Sequence, residues 1–110
     1  MIELLFWEGC PSYEKARAML LDECERHGLE RDHVQMIEVV DQADADRLRF
    51  IGSPTIRFDG EDLADTGDSP YAMDCRLFYR RDGRPSPVPD PEDLAESVAA
   101  YAAAHAPNGD

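Results

Sequence analysis

Phe6-Trp7-Glu8-Gly9-Cys10-Pro11-Ser12-Tyr13 is the stretch whose reading decides the fold. It follows an apolar run over residues 2–7, broken by one acid, Glu3, and it precedes a segment of helical spacing. A short, near-continuous apolar run suits a strand covered on both faces, as in an α/β protein. Gly9 permits a tight turn, and Pro11 suits the first position of a helix. The stretch therefore reads as strand, turn, and a cysteine at the mouth of a helix. A helix N-terminus presents unpaired N–H groups and a positive partial charge, so a thiol placed there is expected to ionise more readily than free cysteine. Glu8 and Glu14 act in the opposite sense, because nearby negative charge disfavours a thiolate. Cys10 is a reactive thiol or a small buried hydrophobe, and its position favours the first.

Working outward, residues 12–28 follow helix spacing. Tyr13, Ala16, Leu20, Cys24 and His27 share a face with Met19 alongside, and Gly28 is the C-terminal stop. Cys24 on that apolar face reads as a core cysteine. Residues 34–40, rich in β-branched side chains, read as a second strand. Asp41 can cap a short helix through about Phe50. Residues 51–53 are a break, and residues 54–58 are a third strand ended by the Asp59-Gly60 turn signal. Residues 62–74 are acidic, hold Gly67 and Pro70, and read as a long loop of the kind that often carries function. Residues 76–79 read as a fourth strand, antiparallel to the third, before a turn at Asp82-Gly83. Pro85, Pro87, Pro89 and Pro91 mark a stiff connector into an alanine-rich helix to about His105, with Asp90 as its cap. The expected order is β-α-β-α-β-β-α: one α/β domain over residues 1–105, a central mixed four-stranded sheet with flanking helices, and a frayed tail at 106–110.

The totals agree with one soluble domain. The chain has 110 residues, 43% of them hydrophobic, and a formal net charge of -13. That charge argues against nucleic-acid and anionic-membrane partners, both of which reward Lys and Arg. No stretch approaches the roughly 20 apolar residues of a membrane span. With no basic, then apolar, leader at the start, a cytoplasmic location is the default. Cys10, Cys24 and Cys75 are too few and too scattered for a secreted disulfide scaffold. His27, His33 and His105 have no zinc spacing with them, so no metal is expected. No phosphate-binding glycine loop, paired catalytic carboxylates or serine triad pattern is present, and no bound cofactor is implied.

Two local features, together with the element order, resemble the thioredoxin-like superfamily over about residues 1–105. One is Cys10 with Trp7 before it and Pro11 after it. The other is Gly52-Ser53-Pro54-Thr55 at the start of the third strand. More narrowly, Glu8-Gly9-Cys10-Pro11, Gly52-Ser53-Pro54-Thr55 with Asp59-Gly60, and Cys75-Arg76-Leu77-Phe78-Tyr79 are similar to small bacterial thioredoxin-like proteins. Some of those carry a loose label of alkylmercury lyase. The resemblance implies a cis peptide before Pro54, set against Cys10, and an oxidoreductase that performs thiol–disulfide exchange. It also implies a groove framed by Trp7, Pro11, Tyr13, Ser53, Pro54 and Thr55, holding a protein or low-molecular-weight thiol or disulfide. Trp7 and Tyr13 read equally well as core filling.

The chain departs from dithiol thioredoxins at Tyr13, where the second cysteine of the motif would stand. A single thiol suffices for exchange if a second molecule resolves the adduct, as in a monothiol glutaredoxin arrangement with glutathione as co-substrate. Cys75 is the candidate resolving thiol within the chain, but the expected topology sets it apart. If the fourth strand starts beside the end of the third, Cys75 lies roughly 13–17 Å from Cys10 and Pro54. A disulfide needs Cα atoms within about 7 Å. Only the long loop could bring it back. Arg76, Arg80, Arg81 and Arg84 form the basic cluster, either a solvated face or a seat for an anionic group such as a glutathione carboxylate. Two other readings stand beside exchange: a binding module that kept the fold and lost turnover, and soft-metal or organomercurial handling by Cys10 and Cys75. Oligomeric state has no signature.

Overall fold

A computed structural model describes residues 1–64 and 69–105. The expected tail at 106–110 and the centre of the acidic loop lie outside the described residues. β1 (Ile2–Phe6) runs through the middle of a mixed four-stranded sheet. It pairs in parallel with β2 (Val34–Glu38) and antiparallel with β3 (Thr55–Phe58). The alternation of a strand sends its side chains to both faces. Ile2 and Leu4 join Ala16, Leu20 and Cys24 of α1 (Tyr13–Arg26) and Leu94, Val98 and Tyr101 of α3 (Pro91–Ala104). Leu5 turns the other way and packs with Val39, Ala45 and Phe50 around α2 (Gln42–Leu48). The apolar run is therefore the spine of two cores, one on each side of the sheet.

The helices begin and end for identifiable reasons. The Asp41 carboxylate accepts the Asp44 N–H at 2.9 Å and opens α2. The Asp90 carboxylate accepts the N–H groups of Glu92 at 2.8 Å and Asp93 at 3.2 Å, and Pro91 follows where its missing N–H costs nothing. The α1 face closes at His27, whose N–H returns to Glu23 and Cys24. Among the described residues no helix is long and apolar enough to cross a membrane.

The fourth strand of the sheet is not where the sequence places it. Asp59 and Gly60 both take positive φ, 52° and 87°, and turn the chain straight back on itself. The neighbour of β3 is thus β4 (Glu61–Asp62), with Arg57 opposite Asp62 and Phe58 opposite Glu61. The sheet order is β2-β1-β3-β4. Residues 76–79 contribute instead to a separate hairpin, β5 (Phe78–Tyr79) against β6 (Pro85–Ser86), closed by the Asp82-Gly83 turn. Their aromatic content signals a strand, but the hairpin at Asp59-Gly60 has already taken the sheet edge.

Candidate functional site

Cys10 sits at the end of a turn that leaves β1. Its N–H donates to the Trp7 carbonyl at 3.0 Å. The Trp7 ring lies so close to Gly9 that a Cβ there would stand 1.9 Å from ring atom Cζ3. The helix begins later than the sequence suggests: Ser12 is the capping position, without a side-chain cap, and Tyr13 is the first helical residue. Because the Cys10 N–H is spent on the turn, Cys10 and the exposed Pro11 stand ahead of α1 rather than within its first turn. The thiol is buried, with 2% of the residue exposed, and it donates to the Ser53 carbonyl at 3.4 Å.

Ser53, Pro54 and Thr55 are all buried beneath it, and the Ser53–Pro54 peptide is cis. The Ser53 hydroxyl accepts the Trp7 N–H at 3.3 Å. The Thr55 hydroxyl donates to the Gly52 carbonyl at 2.6 Å and accepts from Arg76 at 3.4 Å. The backbone groups of Ser53 are also taken. Its N–H donates to the Asp74 carbonyl at 2.8 Å, and its carbonyl accepts the Arg76 N–H at 2.8 Å. Residues 74–76 thus form a one-residue parallel bridge in which Cys75 lies beside Ser53.

The bridge brings Cys75 close to the Cys10 site, against the roughly 13–17 Å separation expected from the sequence. Cys75 is not stranded at the far end of a sheet strand; it adjoins the residue whose carbonyl holds the Cys10 thiol. The Cys75 thiol is pushed up by desolvation where it faces the protein, then by the neighbouring Cys10 and by Asp74. The two cysteines differ in access, for Cys75 is exposed and Cys10 is not. Both are free thiols.

Polar contacts hold the Cys75 segment in place. The indole N–H of Trp7 donates to the Asp74 carbonyl at 3.2 Å. The buried Arg76 guanidinium grips Asp62 with two bonds, 2.8 and 2.6 Å, and stands 4.5 Å from the Phe78 ring centre. Gly52, at φ 145°, allows the close approach: a Cβ there would lie 3.1 Å from the Arg76 Cα. Outside this contact, a cleft of about 570 Å³ opens beside Cys75, lined in part by Ile51, Pro70, Asp74, Leu77 and Tyr79.

The remaining candidates separate. Tyr13 stacks on Phe6 with ring centres 4.3 Å apart and packs on the α1–α3 core. Trp7 packs on the α2 side. They do not frame one groove. Cys24 is a core thiol, pushed up to about 11 by burial and then by Glu23. The arginine cluster disperses. Arg76 is sealed by Asp62, Arg84 pairs with Asp82, Arg81 is drawn to Asp93, Glu92 and Glu96 at the start of α3, and Arg80 lines a separate pocket with Lys15 and Arg26 of α1. Among the described residues no three His, Cys, Asp or Glu side chains gather as a metal site. The Arg76–Asp62 pair and the Ser53–Cys75 bridge were absent from the sequence reading, since nothing local marks either. No protein-family model, curated protein or solved structure matches the chain.

Proposed function

We propose that the chain is a thioredoxin-like thiol–disulfide oxidoreductase whose working pair is Cys10 and Cys75. One observation carries this reading: the parallel bridge sets Cys75 beside Ser53, whose carbonyl accepts the Cys10 thiol. The order β2-β1-β3-β4, α1 and α3 on one face with α2 on the other, and a cis proline before β3 support the thioredoxin-like assignment. Tyr13 in the motif is then no obstacle, because the second thiol comes from residue 75. Oxidation forms the Cys10–Cys75 bond and passes two electrons to a substrate disulfide; the reverse oxidises two substrate thiols.

The binding-module reading loses support, because the Ser53 backbone that would hold a substrate strand already holds residues 74–76. Juxtaposed thiols favour a second reading, two-coordinate capture of a soft metal ion such as Cu(I) or Hg(II). Reduction of a glutathione mixed disulfide and of a protein disulfide separates the readings. Exchange predicts activity in the wild type that is lost in both Cys10→Ser and Cys75→Ser. No activity in either assay, with tight binding of a soft ion, would favour the metal site instead.

A further inference from the structure

We infer that the mixed disulfide with an external thiol forms on Cys75, and that Cys10 is the internal partner that never meets substrate. The inference rests on the exchange reading above and assigns its roles in reverse of what the motif around Cys10 suggests.

Access decides it. Cys10 is 2% exposed, and its thiol is held against the Ser53 carbonyl that accepts it. A disulfide or thiolate from solution must reach a sulfur along the S–S axis, and no such line reaches a sulfur that is walled in. Cys75 is exposed and lines the cleft of about 570 Å³, where Ile51, Leu77 and Tyr79 supply apolar contact area for the group attached to the incoming sulfur. Leu77 and Tyr79 are among the exposed large apolar side chains of the protein.

The chemistry balances with a thiol of the class RSH as co-reactant. Starting from the oxidised pair, RS⁻ attacks the Cys75 sulfur. The Cys10–Cys75 bond breaks, a Cys75–S–S–R bond forms, and Cys10 leaves with the electron pair as a thiolate. A second RS⁻ attacks the R sulfur, yielding RSSR and a Cys75 thiolate that takes a proton from water. The protein disulfide gains two electrons and two thiols become one disulfide. The opposite orientation, attack on Cys10 with Cys75 departing, needs a buried target.

The test uses 2-hydroxyethyl disulfide, a small uncharged probe, on reduced full-length protein. Cys10→Ser is expected to accumulate the 2-hydroxyethyl adduct on Cys75, located by peptide mass spectrometry. Cys75→Ser is expected to form it on Cys10 roughly ten-fold or more slowly. Adduct formation on Cys10 at an equal or greater rate would overturn the assignment. Brief iodoacetamide labelling of the wild type guards against a variant that unfolds. Cys75 should react before Cys10, while Cys24, 1% exposed, stays unlabelled as the marker of intact fold; Cys10 reacting first overturns the inference. If the wild type forms its Cys10–Cys75 disulfide under mild oxidant yet takes the adduct on Cys10, only this assignment falls. If that disulfide never forms, the exchange reading falls and this inference with it.

Discussion

The segment that carries Cys10 is held by apolar packing, whereas the segment that carries Cys75 is held by polar bonds. On the Cys10 side, β1 contributes Ile2, Leu4 and Leu5, all fully buried, and the cysteine follows from a turn anchored to that strand. On the Cys75 side, residues 74–76 are fixed by two backbone bonds to Ser53, one indole bond to Asp74 and the Arg76–Asp62 pair. Burial of large side chains contributes to global stability, and its loss unfolds the domain. An individual hydrogen bond adds only about 0.5–1.5 kcal/mol net, so a segment held by several of them can open while the rest stays folded. A rigid buried thiol facing a releasable exposed one is a sensible division for exchange, since the exposed Cys75 already borders the cleft that would receive a mixed disulfide.

The comparison breaks most visibly at Leu5. Leu5→Ala should cost about 2–5 kcal/mol in chemical denaturation, because it empties a site at the centre of the α2-side core. It should lower stability as a whole without favouring Cys75 over Cys10. Arg76→Ala is the matching change on the polar side. It leaves Asp62, whose side chain is 19% exposed, and the Thr55 hydroxyl without their cation, at a cost of about 1–3 kcal/mol. Its distinguishing outcome is selective: slower closure of the Cys10–Cys75 disulfide and faster alkylation of Cys10, with thermal unfolding still cooperative. If Arg76→Ala unfolds the domain outright, the polar segment is part of the core and the contrast fails.

A pH scan reports on the Cys10 side through Cys24. Burial, and then Glu23, push its folded pKa up to about 11, above that of an ordinary cysteine thiol. The native state therefore keeps the proton while the unfolded chain loses it, and stability declines as pH rises through that window. Tyr101, raised by burial and then by Asp59, adds to the decline. Cys24→Ala should show a shallower alkaline limb; an unchanged limb would assign the decline to other groups.

The smallest effect is a substrate preference at the Cys75 cleft. Asp74 stands beside Cys75, the Arg76 charge is matched by Asp62, and the whole chain carries a net charge of -13. Cystamine, a dication, should therefore react faster than oxidised glutathione at low salt, with the gap closing as ionic strength rises. A salt-independent preference for glutathione would point to a specific seat for its carboxylates.

How much of this was legible in the sequence depended on the range of the signal. β1, α1, α2 and α3 announce themselves through apolar spacing and through Asp41, Gly28 and Asp90, all local features. The cis peptide before Pro54 was implied by resemblance and is present. Glu61 and Asp62 give no strand signal at all, being two acids on a sheet edge, so the aromatic run at 76–79 was assigned their place. Tyr13 occupied a motif position but follows its own ring, which stacks on Phe6. The Cys75 juxtaposition was the least legible. A one-residue parallel bridge carries no periodicity, and the 14-residue separation of Asp62 and Arg76 carries no pattern that would pair them. A strand at 76–79 paired with β3 would hold Cys75 far from Cys10, but that edge belongs to β4 and residues 78–79 pair with β6 instead.

The most direct measurement is peptide mapping of the wild-type protein after mild oxidation under native conditions. The account predicts a linked pair of peptides containing Cys10 and Cys75, formed within single chains and at a rate independent of protein concentration, with Cys24 still reduced. Oxidised protein in which Cys10 and Cys75 remain unlinked, or are joined only between chains, would contradict it.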